Sequence, residues 1–156
     1  KKINVRSSNK SVEALTFHPI YKLLFAFEYP PKGVKKCKQK IYSLFFKKSF
    51  NLNLIKHKRC AISAIESVDK DHILILERSF GGFFAPFFID LILYDLKNKS
   101  SKLLLELNSG KGFLVDNFEG LAKVGKNRFV MVSDDNNNFF QNTILIYFEI
   151  SAEALR

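Results

Sequence analysis

The chain has 156 residues, 47% hydrophobic and 26% charged, which is long enough for one domain with a core and too apolar for a disordered chain. Its net charge of +10 permits a nucleic acid, an anionic membrane surface or a phosphorylated small molecule as partner. No run of about 18 apolar residues exists to span a membrane, and the opening KKINVRSSNK lacks the apolar stretch of a signal peptide.

Helix signals are poor, and strand signals recur along the chain. Residues 12–30 (VEALTFHPIYKLLFAFEYP) read as a short strand, a turn containing proline, a second strand and then Glu28. The densest lysine cluster follows in residues 31–40 (PKGVKKCKQK), where Pro and Gly make it a solvated loop. The other lysines are scattered, and an AT-rich coding bias would supply them along with the asparagines and 17 phenylalanines. No aromatic-basic motif of an RNA-binding sheet is present, which argues against nucleic acid. KIYSLFF reads as a strand, and residues 62–80 (ISAIESVDKDHILILERSF) repeat the layout of 12–30 with Glu77 as the acid. FIDLILYDL and KLLLEL are strands joined by a polar turn. Residues 118–136 (FEGLAKVGKNRFVMVSDDN) give the layout a third time, ending in Asp134 and Asp135, and TILIYFEI is the last strand.

The three segments share one spacing. Leu15 to Glu28 is 13 positions, Ile65 to Glu77 is 12, and Leu121 to Asp134 is 13. Two further strands lie between repeats. Four strands per unit of about 50 residues is the pattern of a propeller blade. The expectation is one all-β domain over 1–156, a β-propeller-like array of about three four-stranded antiparallel blades near 9–58, 59–110 and 111–150. The last blade lacks its fourth strand. Propellers close with about four to eight blades, so this array is a partial propeller or half of a six-bladed ring. A second copy, or an N-terminal half outside this chain, would close it. A small sandwich with accidental repetition is the plain alternative.

Antiparallel neighbours place the start of each innermost strand and the end of the second strand at one face. Glu13 and Glu119 stand at starts; Glu28, Glu77, Asp134 and Asp135 stand at ends. Asp116 and Asn117 lie on the loop before the third repeat, and Arg59 and Arg78 on the matching connections of the second. Crowded carboxylates repel, and a shared cation offsets that cost. Oxygen ligands suit Ca²⁺ or Mg²⁺, so Glu13, Glu28, Glu77, Glu119, Asp134 and Asp135 are the candidate metal ligands. General acid-base chemistry is a second use for such a group, and capping of local turns is the structural one. His18, His57 and His72 share no spacing, which argues against zinc. Cys37 and Cys60 fall on that same face in adjacent blades, so a disulfide is feasible.

The same segments resemble the phytase-like family described as "esterase-like activity of phytase". The resemblance is carried by Glu13-Ala14-Leu15, Glu28-Tyr29-Pro30, Leu76-Glu77-Arg78, Asp116-Asn117-Phe118-Glu119-Gly120, Ser133-Asp134-Asp135-Asn136 and the stretch from Gln141 to Phe148. It covers roughly residues 12–150. Residues 79–90 (SFGGFFAPFFID) are more aromatic than the family pattern, which suits packing. The resemblance implies a periplasmic or secreted propeller protein, an environment that suits a disulfide. It also implies hydrolysis of an anionic phosphorylated small molecule with a divalent cation. Glu77, Arg78 and Glu119 are then the candidate catalytic residues, with Arg78 orienting phosphate. The competing reading is a non-catalytic binding or scaffold propeller stabilised by Ca²⁺.

Overall fold

A computed structural model of the chain describes residues 11–35, 37–53, 60–80, 86–113, 115–135, 137 and 141–155. Arg59, most of the Gly-Phe loop at 81–85 and Asn136 lie outside the described residues.

The described residues form three antiparallel sheets and no α-helix. The first sheet holds β1 (Val12–His18), β2 (Lys22–Phe27), β3 (Lys38–Ser43) and β4 (Ser49–Asn53). The second holds β5 (Ala61–Ser67), β6 (His72–Phe80), β7 (Phe87–Asp95) and β8 (Ser100–Asn108). The third holds β9 (Asn117–Lys123), β10 (Arg128–Asp134) and β11 (Leu145–Glu149). Each sheet is a meander with strands paired in chain order. The units match the three repeats, and the third has three strands among the described residues. The KIYSLFF strand stops at Ser43; Leu44, Phe45 and Phe46 form an exposed turn instead.

Successive side chains on a strand face opposite sides of its sheet. In β1, Ala14, Thr16 and His18 are buried while Leu15 and Phe17 are exposed. β5 is buried almost throughout, because the second sheet is covered on both faces. One core joins the first two sheets: Ala14, Leu24, Ala26, Ile41 and Phe50 against Ile65, Ile73, Ile75 and Tyr94. A second joins the last two: Ala64, Leu74, Leu76, Ile89 and Leu91 against Phe118, Phe129 and Met131. Burial of these side chains is the main favourable term in the fold, at about 1.5–3 kcal/mol for each large one. Polar bonds fix the angle between sheets. Tyr94 Oη donates to the Asn51 carbonyl at 3.0 Å, Thr16 Oγ1 to Glu66 Oε2 at 3.3 Å, and Lys123 Nζ to the Val68 carbonyl.

The same irregularity appears at the start of the first strand of each sheet. Register shifts fall between Val12 and Ala14, between Ile62 and Ala64, and opposite Val132 and Ser133 in β9. Glu13, Ser63 and Glu119 are the extra residues of these bulges. A bulge bends its strand and re-aims the extra side chain. Register also corrects the repeat alignment. Ala26, Leu76 and Val132 oppose Ala14, Ala64 and Gly120. Two residues beyond them stand Glu28, Arg78 and Asp134. Glu28 therefore corresponds to Arg78, and the 12-position spacing to Glu77 is one residue short.

Cys37, in the β2–β3 connection, and Cys60, before β5, form a disulfide with Cα atoms 5.2 Å apart. It ties the first sheet to the second at the end where β1, β5 and β9 begin.

At the opposite end, His18 closes the β1–β2 turn. Its fully buried ring accepts through Nδ1 from Ile20 N at 3.2 Å and Tyr21 N at 3.1 Å. Burial lowers its pKa, partly opposed by the Asp69 carbonyl and the Asp69 and Asp71 carboxylates. A depressed folded pKa means the unfolded chain takes up the proton first. Stability is therefore full above about pH 6.5 and falls as pH drops below it, by at most about 1.4 kcal/mol per pH unit for one proton. The raised carboxyls of Glu13 and Glu66 act in the opposite sense. A comparison of urea melts of wild type and His18→Gln at pH 7.5 and pH 5.5 isolates the histidine. The gap between the two proteins is expected to narrow at the lower pH; a constant gap would contradict this assignment.

Candidate functional site

The site is built where β1, β5 and β9 begin and β2, β6 and β10 end. Glu28 follows β2. Its carbonyl accepts from Ile62 N at 3.0 Å and Gln39 Nε2 at 2.7 Å, so its backbone is held by both the first and second sheets. Arg78 lies near the end of β6, on the same face as Leu76 and turned to the third sheet. Asn117 and Glu119 come from the start of β9. The bulge carries Glu119 outward, and the next residue must be small: a Cβ on Gly120 would fall 2.5 Å from Val132 Cγ1.

Arg78 joins these groups. Its Nη2 donates to Glu28 Oε1 at 3.0 Å, and its Nη1 donates to Glu119 Oε1 at 2.9 Å and to Asn117 Oδ1. Asn117 Nδ2 donates to the same Glu119 oxygen at 2.7 Å. The Glu28 side chain is 10% exposed, that of Arg78 22% and that of Glu119 35%. One guanidinium on the second sheet thus binds Glu28, next to the first sheet, and two residues of the third, using the fork geometry that lysine lacks.

Glu13 completes the group from an exposed position on β1. Burial raises its pKa, Glu28 and Glu119 raise it further, and Arg78 partly opposes them. The set of Glu13, Glu28, Glu119 and Arg78 carries more negative charge than one arginine neutralises.

The loop motifs serve this arrangement. Asp116 accepts through Oδ1 from Asn117 N at 2.7 Å and Gln141 Nε2 at 2.9 Å, and through Oδ2 from Asn142 N at 2.6 Å. Ser133 Oγ accepts from Ile144 N at 2.8 Å and donates to the Asn142 carbonyl at 2.7 Å. Asp116 holds the β10–β11 connection against the start of β9, and Ser133 holds it against the end of β10.

The expected residues divide. Glu13, Glu28, Arg78 and Glu119 converge. Glu77 points to the other face of β6, where it is fully buried beside its cross-strand neighbour Asp90. Asp134 ends β10 as the exposed counterpart of Glu28 and Arg78. Asp135 accepts from Asn137 N at 2.9 Å and Thr143 Oγ1 at 3.2 Å within its own loop. Among the described residues, no three His, Cys, Asp or Glu side chains are placed to hold one metal ion. Glu28 and Glu119 each use an oxygen on Arg78, and the set as it stands does not fit a dedicated cation centre. Ser63 and Asp90 escaped the sequence reading. Ser63 is the bulge residue equivalent to Glu13 and Glu119, and its Oγ donates to the Leu76 carbonyl at 3.3 Å; the repeats contained that equivalence. Asp90 carries no comparable signal.

Among the described residues, no helix is long and apolar enough to cross a membrane. Comparison with curated proteins and with solved structures gives no match. A family model does match, over residues 2–137, and it contains the LER, DNFEG and SDD motifs from which the Arg78 cluster and its supports are built. The chain belongs to the phytase-like family, esterase-like activity of phytase.

Proposed function

We propose that the three sheets are successive blades of a β-propeller and that their shared acidic end hydrolyses a phosphoric ester of a small anionic molecule. The observation that carries this reading is Glu13, an exposed carboxyl with a raised pKa beside Glu28, Glu119 and Arg78. A carboxyl shifted toward neutrality can give a proton to a departing alkoxide. Water supplies the new oxygen on phosphorus as the P–O bond to the alkoxide breaks, and Glu13 supplies the alcohol's proton; one proton of the water stays on the phosphate and the other restores Glu13. The chain's net charge of +10 favours the approach of an anionic ester, whose oxygens would take the place of Glu119 on Arg78. Family membership supports an ester as substrate. The Cys37–Cys60 disulfide supports an oxidising compartment, the periplasm or outside the cell.

Turnover of glycerol phosphate and p-nitrophenyl phosphate by the full chain tests this, with and without Ca²⁺ or Mg²⁺. Glu13→Gln is expected to lower turnover of the alkyl ester about 10²-fold or more, since its poor leaving group needs the proton. The p-nitrophenyl ester, with a good leaving group, should lose much less. Equal loss on both esters removes Glu13 from that role.

The second reading is a non-catalytic binding or scaffold propeller. It is favoured by the Arg78 clamp, which gives Glu28 and Glu119 a structural use. Absence of turnover on either ester, with a Ca²⁺-induced rise in melting temperature, would select it.

A further inference from the structure

At the His18 end, the turns of the second and third sheets have polar tips. Lys70 and Asp71 stand in the β5–β6 turn, Lys97 and Asn98 in the β7–β8 turn, and Lys126 and Asn127 in the β9–β10 turn. The β3–β4 turn of the first sheet instead opens with consecutive apolar residues: Leu44 at 60% exposed, Phe45 at 65% and Phe46 at 48%. Such a run in a turn is unfavourable in water and meets no need of the local backbone, so it marks a contact surface. The turn is also firmly built. Leu44 N donates to the Leu23 carbonyl at 2.9 Å, Ser43 N to the Lys48 carbonyl at 3.0 Å and Phe46 N to Ser43 Oγ at 3.2 Å. Its apolar side chains are therefore held outward by fixed backbone. Residues 44–49 are all exposed, which makes the tip a projection and not a groove. Phe46 meets Tyr21 edge-on at 6.4 Å, and Tyr21 packs on the core between the first and second sheets. Phe46 thus leans toward that junction and away from the open outer face of the first sheet.

Lysines flank the tip. Lys47 and Lys48 follow in the same turn, and Lys22 stands in the neighbouring β1–β2 turn with Ile20, 48% exposed. Lys48 Nζ donates to Tyr21 Oη at 2.9 Å, which fixes it beside Phe46. The acids of the first sheet, Glu13 and Glu28, both lie at the other end. On the adjoining β5–β6 turn, Asp69 accepts from Asp71 N at 2.7 Å and His72 N at 2.9 Å, and Asp71 pairs with Lys70 at 3.7 Å. We infer that this tip inserts into an anionic lipid surface. Leu44, Phe45 and Phe46 enter the boundary between headgroups and acyl chains, while Lys22, Lys47 and Lys48 meet the lipid phosphates. An apolar projection flanked by lysines matches that surface on both counts. Burial holds the apolar side chains, and the long lysine stems keep the ammonium groups at headgroup level. The inference rests on neither the blade reading nor the ester chemistry, and it turns the Arg78 cluster away from the bilayer.

Co-sedimentation of the full chain with vesicles tests the inference. One set is phosphatidylcholine alone and the other contains about one-third phosphatidylglycerol, both in about 150 mM salt. Binding is expected on the anionic vesicles and should be much weaker on the neutral ones. Phe45→Ser should weaken it about tenfold or more. Lys22→Gln and Lys47→Gln should each weaken it about fivefold. Lys32→Gln and Lys35→Gln remove the same charge from exposed positions at the other end, and should each change binding by less than about twofold. The chain has no tryptophan, so Phe45→Trp supplies a single reporter. Its emission is expected to shift to the blue on anionic vesicles and to be quenched by brominated acyl chains. Absence of binding to the anionic vesicles overturns the inference. Equal losses from the two lysine pairs also overturn it, because net charge alone would then hold the protein, and so does a bound protein whose introduced tryptophan stays in water. If Phe45→Ser fails to fold by circular dichroism, Leu44→Ser decides.

Discussion

Arg78→Ala is expected to destabilise the protein by about 3 kcal/mol, the cost typical of removing one partner from a largely buried ion pair. Most of this comes from Glu28, whose side chain is 10% exposed and would be left beside Glu13 and Glu119 with no cation. Glu119, at 35% exposed, is screened by water and contributes less. For a chain of this length the loss corresponds to a melting temperature lower by roughly 6–12 °C. Arg78→Lys keeps the charge and loses the fork, and should cost about half as much. A second substitution separates charge from packing: Glu28→Gln should be markedly less costly in the Arg78→Ala background than in wild type. A loss below about 1 kcal/mol for Arg78→Ala would class the contacts as an exposed surface pair.

Removing the disulfide is the other large effect. Cys37 and Cys60 close a loop with a sequence separation of 23, for which the chain-entropy relation gives about 3 kcal/mol. Cys60→Ala combined with Cys37→Ser should lower the urea midpoint accordingly, and reductant should do the same to wild type. Cys37 has φ 62°, in the left-handed region that favours glycine. Cys60→Ala with Cys37→Gly is therefore expected to be more stable than the pair with serine. Equal midpoints for wild type in the presence and absence of reductant would show that the bridge contributes nothing to stability.

The parts of the fold that depend on local pattern were legible in the sequence. The three repeats gave the meanders, the turns and the end of the molecule at which the acids gather, because alternation and turn chemistry act over a few residues. The Arg78 cluster was legible only as a list of residues. Its contacts with Glu28 and Glu119 span 50 and 41 positions and depend on how the sheets stack. A single residue also decided the most informative equivalence. Spacing by acids matched Glu28 to Glu77, whereas strand register matches it to Arg78, and that shift moves a side chain to the other face. The bulges at Glu13, Ser63 and Glu119 produced no local signal that could be told from an ordinary polar residue at a strand start.

Glu13 belongs to one coupled group with Glu28, Glu119 and Arg78. Carboxyl carbon NMR of the full chain, titrated with pH in wild type and Glu119→Gln, tests it most directly. Glu13 is expected to titrate above the ordinary glutamate value of about 4.3 and to move down when Glu119 loses its charge. A Glu13 that titrates at the ordinary value and ignores Glu119→Gln would show that it stands apart from Glu28, Glu119 and Arg78.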